Sequence, residues 1–122
     1  MSTNYKIWWD ESNHLARGKI MDQLDVAGAE YFASVSKEFK QKYGAVDWLI
    51  DLKYAGSAPS SKARKILAEA MSSVDTGTFV FFGGSILLRT VANILAHASG
   101  KKNIQHFATE EEAIRWLERQ PK

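Results

Sequence analysis

Thr78-Phe79-Val80-Phe81-Phe82-Gly83-Gly84-Ser85 is the stretch on which the fold turns. Its consecutive apolar residues do not alternate with polar ones, so they suit a central strand covered on both faces. The two glycines and the serine then turn the chain directly into a helix from Ser85 to Ala98, apolar over most of its length and interrupted by Arg89, Asn93 and His97. That segment falls short of the roughly 20 residues required to cross a bilayer, so it reads as largely buried and stable membrane insertion is not expected.

The same strand-to-helix step repeats on either side. Upstream, Val46 to Leu52 contains Trp48-Leu49-Ile50, a second strand suited to burial on both faces, with Asp51 at its carboxyl end and a loop from Lys53 to Pro59. Ser60 or Ser61 caps the next helix, in which Ala63, Ile66, Leu67, Ala70, Met71 and Val74 form an apolar stripe at helical spacing. Earlier still, Asp25 caps a helix running to about Tyr43, with Phe32, Val35, Phe39 and Tyr43 on its inner face, Lys37, Lys40 and Gln41 toward water, and Gly44 as its stop. Before it, Tyr5 to Trp9 and Leu15 to Ile20 flank the turn-forming Asp10-Glu11-Ser12-Asn13-His14 and read as a hairpin, Ala16, Gly18 and Ile20 alternating with Arg17 and Lys19. Downstream, Asn103 to Phe107 is short and polar enough for an edge strand. Thr109 and Glu112 then open a last helix as a capping box, and Ala113 with Trp116 or Leu117 is its buried side. Strands alternating with helices imply right-handed crossovers and a mostly parallel sheet, with its loops and any ligand at the carboxyl ends of the strands.

Composition narrows the partners. The 122 residues, 45% hydrophobic and 25% charged, match one α/β domain over 1–122, with no linker, repeat or low-complexity segment to divide it. Sixteen basic residues against fourteen acidic leave a net charge of +2, too little to predict a nucleic-acid partner. The absence of cysteine excludes disulfides, thiolate metal sites and cysteine nucleophiles. The start, Met1-Ser2-Thr3-Asn4-Tyr5-Lys6, does not read as a signal peptide, so a cytoplasmic location is the expectation.

The order hairpin, helix, strand, helix, strand, helix, strand, helix resembles the STAS fold, and several stretches resemble its SpoIIAA-like, SEC14-related branch of small bacterial and archaeal proteins. The residues that carry the resemblance are Trp48-Leu49-Ile50-Asp51-Leu52, Val80-Phe81-Phe82-Gly83-Gly84-Ser85 with Arg89-Thr90-Val91-Ala92-Asn93, Lys101-Lys102-Asn103, and Phe107 to Ala113 with Trp116-Leu117. STAS proteins of the anti-sigma-factor antagonist kind carry an Asp-Ser-Ser-Gly motif whose serine is phosphorylated by a partner kinase. Here the corresponding region reads Tyr54-Ala55-Gly56-Ser57-Ala58-Pro59-Ser60-Ser61-Lys62, so that phosphoswitch is not carried over. Ser57, Ser60 and Ser61 remain weak phosphorylation candidates, since a phosphate at Ser60 or Ser61 would gain from the helix terminus and from Lys62, Arg64 and Lys65. Simple capping before a solvated basic face is the preferred account.

The strongest ligand-binding candidates are Asp51, Lys53, Tyr54, Gly83, Gly84, Ser85 and Arg89. Gly83-Gly84-Ser85 joins a strand to a helix, where free backbone N–H groups and the helix dipole favour an anion, and Arg89 follows Ser85 by one turn on the same face. Asp51, Lys53 and Tyr54 leave a neighbouring strand toward the same crevice. The plainer reading is preferred: a tight turn, Ser85 as a cap, Arg89 paired with a surface carboxylate and Asp51 capping loop amides. His14, His97 and His106 are too scattered for metal ligands, so no metal, cofactor or catalytic residue is expected. Trp8, Trp9, Trp48 and Trp116 lack interleaved basic residues and read as packing residues, with one of Trp8 and Trp9 partly exposed. The expected function is therefore a non-enzymatic STAS-like binding or regulatory module, acting on a protein partner through its loops and second helix. The alternative is a carrier or sensor of a small apolar or acidic ligand in the crevice, and a second copy of the chain is a further candidate partner.

Overall fold

A computed structural model describes residues 5–73, 78–98 and 104–120. Along the chain these form β1 (Tyr5–Asp10), β2 (Leu15–Asp22), α1 (Val26–Tyr43), β3 (Trp48–Ala55), α2 (Ser61–Ser73), β4 (Phe79–Phe82), α3 (Ile86–Ala98), β5 (Ile104–Phe107) and α4 (Glu110–Glu118). The five strands make one sheet in chain order, β1 antiparallel to β2 and the remaining neighbours parallel, so β1 and β5 are its edges. The expected alternation is thus observed. Val74, placed in the apolar stripe of the second helix, and Lys101-Lys102-Asn103 lie outside the described residues.

Side-chain alternation along the strands builds two cores. Ala16, Trp48, Ile50, Leu52, Phe79 and Phe81 face α1, α2 and α3, burying Ala29, Phe32, Ala63, Leu67, Ala70, Met71 and Ala92 against them. On the opposite face Leu15, Leu49, Val80 and Phe82 meet Ala113 and Leu117 of α4. Both faces of β4 are covered, which is why its four residues are apolar without alternation. Trp48 anchors the larger core, tilted against Phe32 at 4.8 Å and parallel to Phe79 at 6.3 Å between ring centroids.

The helix ends follow their local chemistry. Asp25 accepts the Gly28 N–H at 2.7 Å to start α1, and Gly44, at φ 81°, ends it by donating to the Lys40 carbonyl. Ser60 accepts the Ala63 N–H at 3.3 Å to start α2. At α4, Thr109 accepts the Glu112 N–H, and its hydroxyl donates to the Glu112 carboxylate at 3.1 Å. The hairpin is tied to the end of α1 by Trp9, whose ring lies flat on Tyr43 at 3.7 Å, with His14 against its edge. No helix among the described residues is long and apolar enough to cross a membrane.

One boundary differs from expectation. The third strand does not give way to a loop at Lys53 but continues to Ala55, because a longer β2 pairs with it: Met21 lies opposite Tyr54 and Asp22 opposite Ala55. Lys19 is opposite Asp51, so three residues of β3 advance while β2 advances two. The extra residue is a β-bulge, and it sends Tyr54 to the face opposite Leu52 although the two are separated by an even number.

Candidate functional site

The turn between β4 and α3 is held down from two sides, by β3 and by β5. Gly83 and Gly84 have φ of 74° and 85°, a region that favours glycine, and both press on β3. A Cβ on Gly83 would stand 3.1 Å from the Lys53 main chain, and one on Gly84 2.9 Å from the Leu52 Cβ. From β5, the Gly83 N–H donates to the Phe107 carbonyl at 3.1 Å and His106 Nε2 donates to the Gly83 carbonyl at 2.8 Å. Burial pushes the His106 pKa below its ordinary value; the bond to Gly83 works against that shift, and the Arg89 charge adds to it. His106 is therefore a clamp on this turn, a role its isolated position in the sequence did not signal.

The candidate ligand-binding residues separate into two places. Gly83 and Gly84 pack directly against Leu52 and Lys53, while Asp51, opposite Phe82, accepts the Lys53 N–H at 2.8 Å. Ser85 accepts the Leu88 N–H at 3.2 Å and its carbonyl accepts the Arg89 N–H at 3.0 Å, so it starts α3 as an N-cap. Arg89 is exposed one turn along and makes no ion pair among the described residues. Tyr54 is not with them: the bulge draws it toward β2, where the Lys19 and Lys53 ammonium groups lie 4.6 and 5.2 Å from its ring centre. Among the described residues, no three His, Asp or Glu side chains converge as metal ligands would.

The serine-rich segment is a helix entry. Ser60 is the α2 cap, Ser61 accepts from Arg64 Nη2 at 3.1 Å, and Ser57 is exposed in the connection before it.

Trp8 requires a correction. It was expected to lack basic neighbours, yet Lys6 and Arg17 stand 5.1 and 5.5 Å from its ring centre. The reason is register: Arg17 on β2 lies directly opposite Trp8, and Lys6 precedes it by two on the same face. Arg17 also bonds Asp10 at 3.0 Å and pairs with Glu110 at the start of α4, joining hairpin to helix. Partial burial raises the Asp10 carboxyl, but hydrogen bonds from Asn13 and Arg17 and the Arg17 charge outweigh it and hold its pKa below the usual value.

Two apolar features stand out. Helix α3, expected to be largely buried, is so only along one side: Leu88, Val91 and Ala92 are buried, whereas Ile86, Leu87 and Ile94 are 79%, 65% and 62% exposed. Beneath the helices lies a cavity of about 90 Å³, bounded by Gly18, Ile50 and Leu52 of the sheet, Leu67 of α2, and Leu88 and Ala92 of α3. None of the seven candidate ligand-binding residues lines it.

Comparison with known proteins follows the geometry. The family model described as SpoIIAA-like matches residues 17–118. The solved structure of the anti-sigma factor antagonist SpoIIAA in its unphosphorylated form is similar, with a TM-score of 0.70 at 14% identity, over 95% of this chain and 99% of that one. An uncharacterised protein of the DUF3478 family with a SpoIIAA-like fold, from Shewanella loihica PV-4, gives a TM-score of 0.71 at 14% identity, over 96% of this chain and 98% of that one. No curated protein sequence matches the chain. The SEC14 relationship implied by the sequence resemblance finds no support in these matches.

Proposed function

The chain belongs to the SpoIIAA-like family, and on that premise we propose that it is a non-enzymatic regulatory module that acts by docking a protein partner on the outer face of α3. The observation that carries this reading is the exposure of Ile86, Leu87 and Ile94. Isolated apolar residues on a surface are ordinary, but Leu87 and Ile94 fall two turns apart on one stripe of α3, with Ile86 at its start, and their burial would favour association. The second helix is a poorer candidate than expected from sequence, because it turns Lys62, Lys65 and Glu69 outward. The solved anti-sigma factor antagonist has a protein-directed role in its name, which supports a protein as the partner class. The missing Asp-Ser-Ser-Gly motif argues for docking without that family's serine switch.

The test is site-specific photo-crosslinking from position 87 in the source cells, in the otherwise wild-type chain and in the Ile94→Asp variant. A discrete adduct to one protein that disappears with Ile94→Asp supports the reading. An adduct only to a second copy of this chain replaces it with homodimerisation, and no adduct at all removes α3 as the docking face.

A second reading is a small acidic ligand at Gly84, Ser85 and Arg89. It is favoured by the exposed Arg89 guanidinium, which has no carboxylate partner among the described residues.

A further inference from the structure

From the cations and rings gathered on the outer face of β1, β2 and the end of β3 we infer that the protein binds single-stranded nucleic acid there. Helices α1, α2 and α3 cover the other face of the sheet, and α4 packs over β4 and β5, so this part of the sheet stays open. Lys6 and Lys19 lie directly opposite each other in the hairpin register and therefore on one side of the sheet. Like charges so placed destabilise a strand pair, a cost that a bound anion would relieve. Neither lysine makes an ion pair among the described residues; their ammonium groups turn to Trp8 at 5.1 Å and to Tyr54 at 4.6 Å. Lys53, equally without an ion pair there, lies 5.2 Å from the Tyr54 ring centre. The carboxylates bordering this face are engaged: Asp10 and Glu110 pair with Arg17, and Asp51, opposite Lys19, accepts the Lys53 N–H.

Shape and rings select the partner. Small-molecule sites are concave, whereas this is an open sheet surface spread over three strands, which suits a chain that makes several contacts at once. Tyr54 is 53% exposed, and Trp8 is half-buried between Lys6 and Arg17. A ring beside an ammonium group serves a base and its phosphate together, while an acidic polypeptide would use the cations and leave the rings idle. Cation–π contacts at exposed sites are weak, so the lysines can turn to phosphate oxygens as a base takes their place on Tyr54. The net charge of +2 does not point to this partner because it averages over the whole surface, and carboxylates such as Glu30 and Glu38 of α1 and Glu69 of α2 lie across the sheet from the lysines. The inference does not rest on the docking role of α3, which lies across the sheet as well.

The experiment titrates the full chain into fluorescein-labelled oligothymidylate and oligouridylate of about 12 nucleotides and reads fluorescence anisotropy. At least one strand should bind saturably, and with three lysine contacts its log affinity should fall against log salt with a slope of about −2. Lys6→Gln with Lys19→Gln should bring the slope to about −0.7 and weaken binding about tenfold or more at low salt. The same change of charge on α1, Lys37→Gln with Lys40→Gln, should leave both unchanged. Tyr54→Ala should weaken binding about fivefold or more without altering the slope, and Tyr54→Phe should retain it. The lysine variant removes a like-charge pair, so it should melt no lower than wild type, and it carries the comparison if Tyr54→Ala fails to fold. Absence of saturable binding to both strands overturns the inference. An equal loss in the α1 variant, which would make the binding bulk attraction, overturns it too. So does polyglutamate that competes as well as the strands, which would make this an acidic-peptide site, or thymidine monophosphate that does, which would make it a site for a free nucleotide.

Discussion

At Gly83 the φ of 74° strains any side chain, and a Cβ would stand 3.1 Å from the Lys53 main chain, which would have to give way. Gly83→Ala should therefore destabilise by about 1–3 kcal/mol, combining left-handed backbone strain with a clash that neither strand can relieve by a rotamer change. A chemical denaturation curve checks it, and a midpoint equal to wild type would mean that the turn is not seated on β3. The same turn makes stability depend on pH through His106. Its folded pKa lies below the ordinary 6.5, so the unfolded chain binds the extra proton first. The stabilisation is complete above about pH 6.5 and is lost as pH falls through the lower folded value. Asp10, also lowered, adds a second loss in stronger acid, below its ordinary 3.8. Thermal melts from about pH 7.5 down to about pH 5 should show the first decline in wild type. That decline should be flattened in His106→Gln; an unchanged slope in the variant would assign it to another group.

Elements show where sequence is a good guide and where it stops. Helix α2 was legible because Ala63, Leu67, Ala70 and Met71 recur at helical spacing, and all four are buried, with Ile66 half-buried beside them. Leu67→Ala should cost about 2–5 kcal/mol, toward the upper end because its side chain already borders a void that would grow. An unfolding midpoint that barely moves would take α2 out of the core. The end of β3 was not legible, because nothing in Leu52-Lys53-Tyr54-Ala55 announces a bulge; that feature exists only once β2 pairs with it. The consequence reached the candidate site, since Tyr54 was assigned to the Gly83 crevice by counting and was moved to Lys19 by register. Trp8 differs for the same reason, its cationic neighbour Arg17 being nine residues away along the chain but directly across the hairpin. Local periodicity is written along the chain, whereas cross-strand neighbours are written in register.

For the whole molecule, topology places any ligand at the carboxyl edge of the sheet. At the rim, Ser85 caps α3 and Arg89 projects into solvent. Inward, α2 and α3 leave a partly open apolar pocket over β2 and β3, which depends on how the layers sit and is not written in any local run of residues. Arg89→Ala distinguishes the rim site from mere surface charge. The side chain is exposed and unpaired among the described residues, so its removal should leave stability within about 1 kcal/mol, as is usual for surface substitutions. It should also relieve the positive charge beside His106, whose pKa should rise toward its ordinary value. If Ser85 and Arg89 hold an acidic ligand, inorganic phosphate or citrate titrated into the wild-type protein should shift the Gly84 and Ser85 amide resonances saturably, and Arg89→Ala should weaken that response. A variant that unfolds instead makes Arg89 structural, and amides that ignore both anions in the wild-type chain leave the rim as a tight turn and remove the acidic-ligand reading.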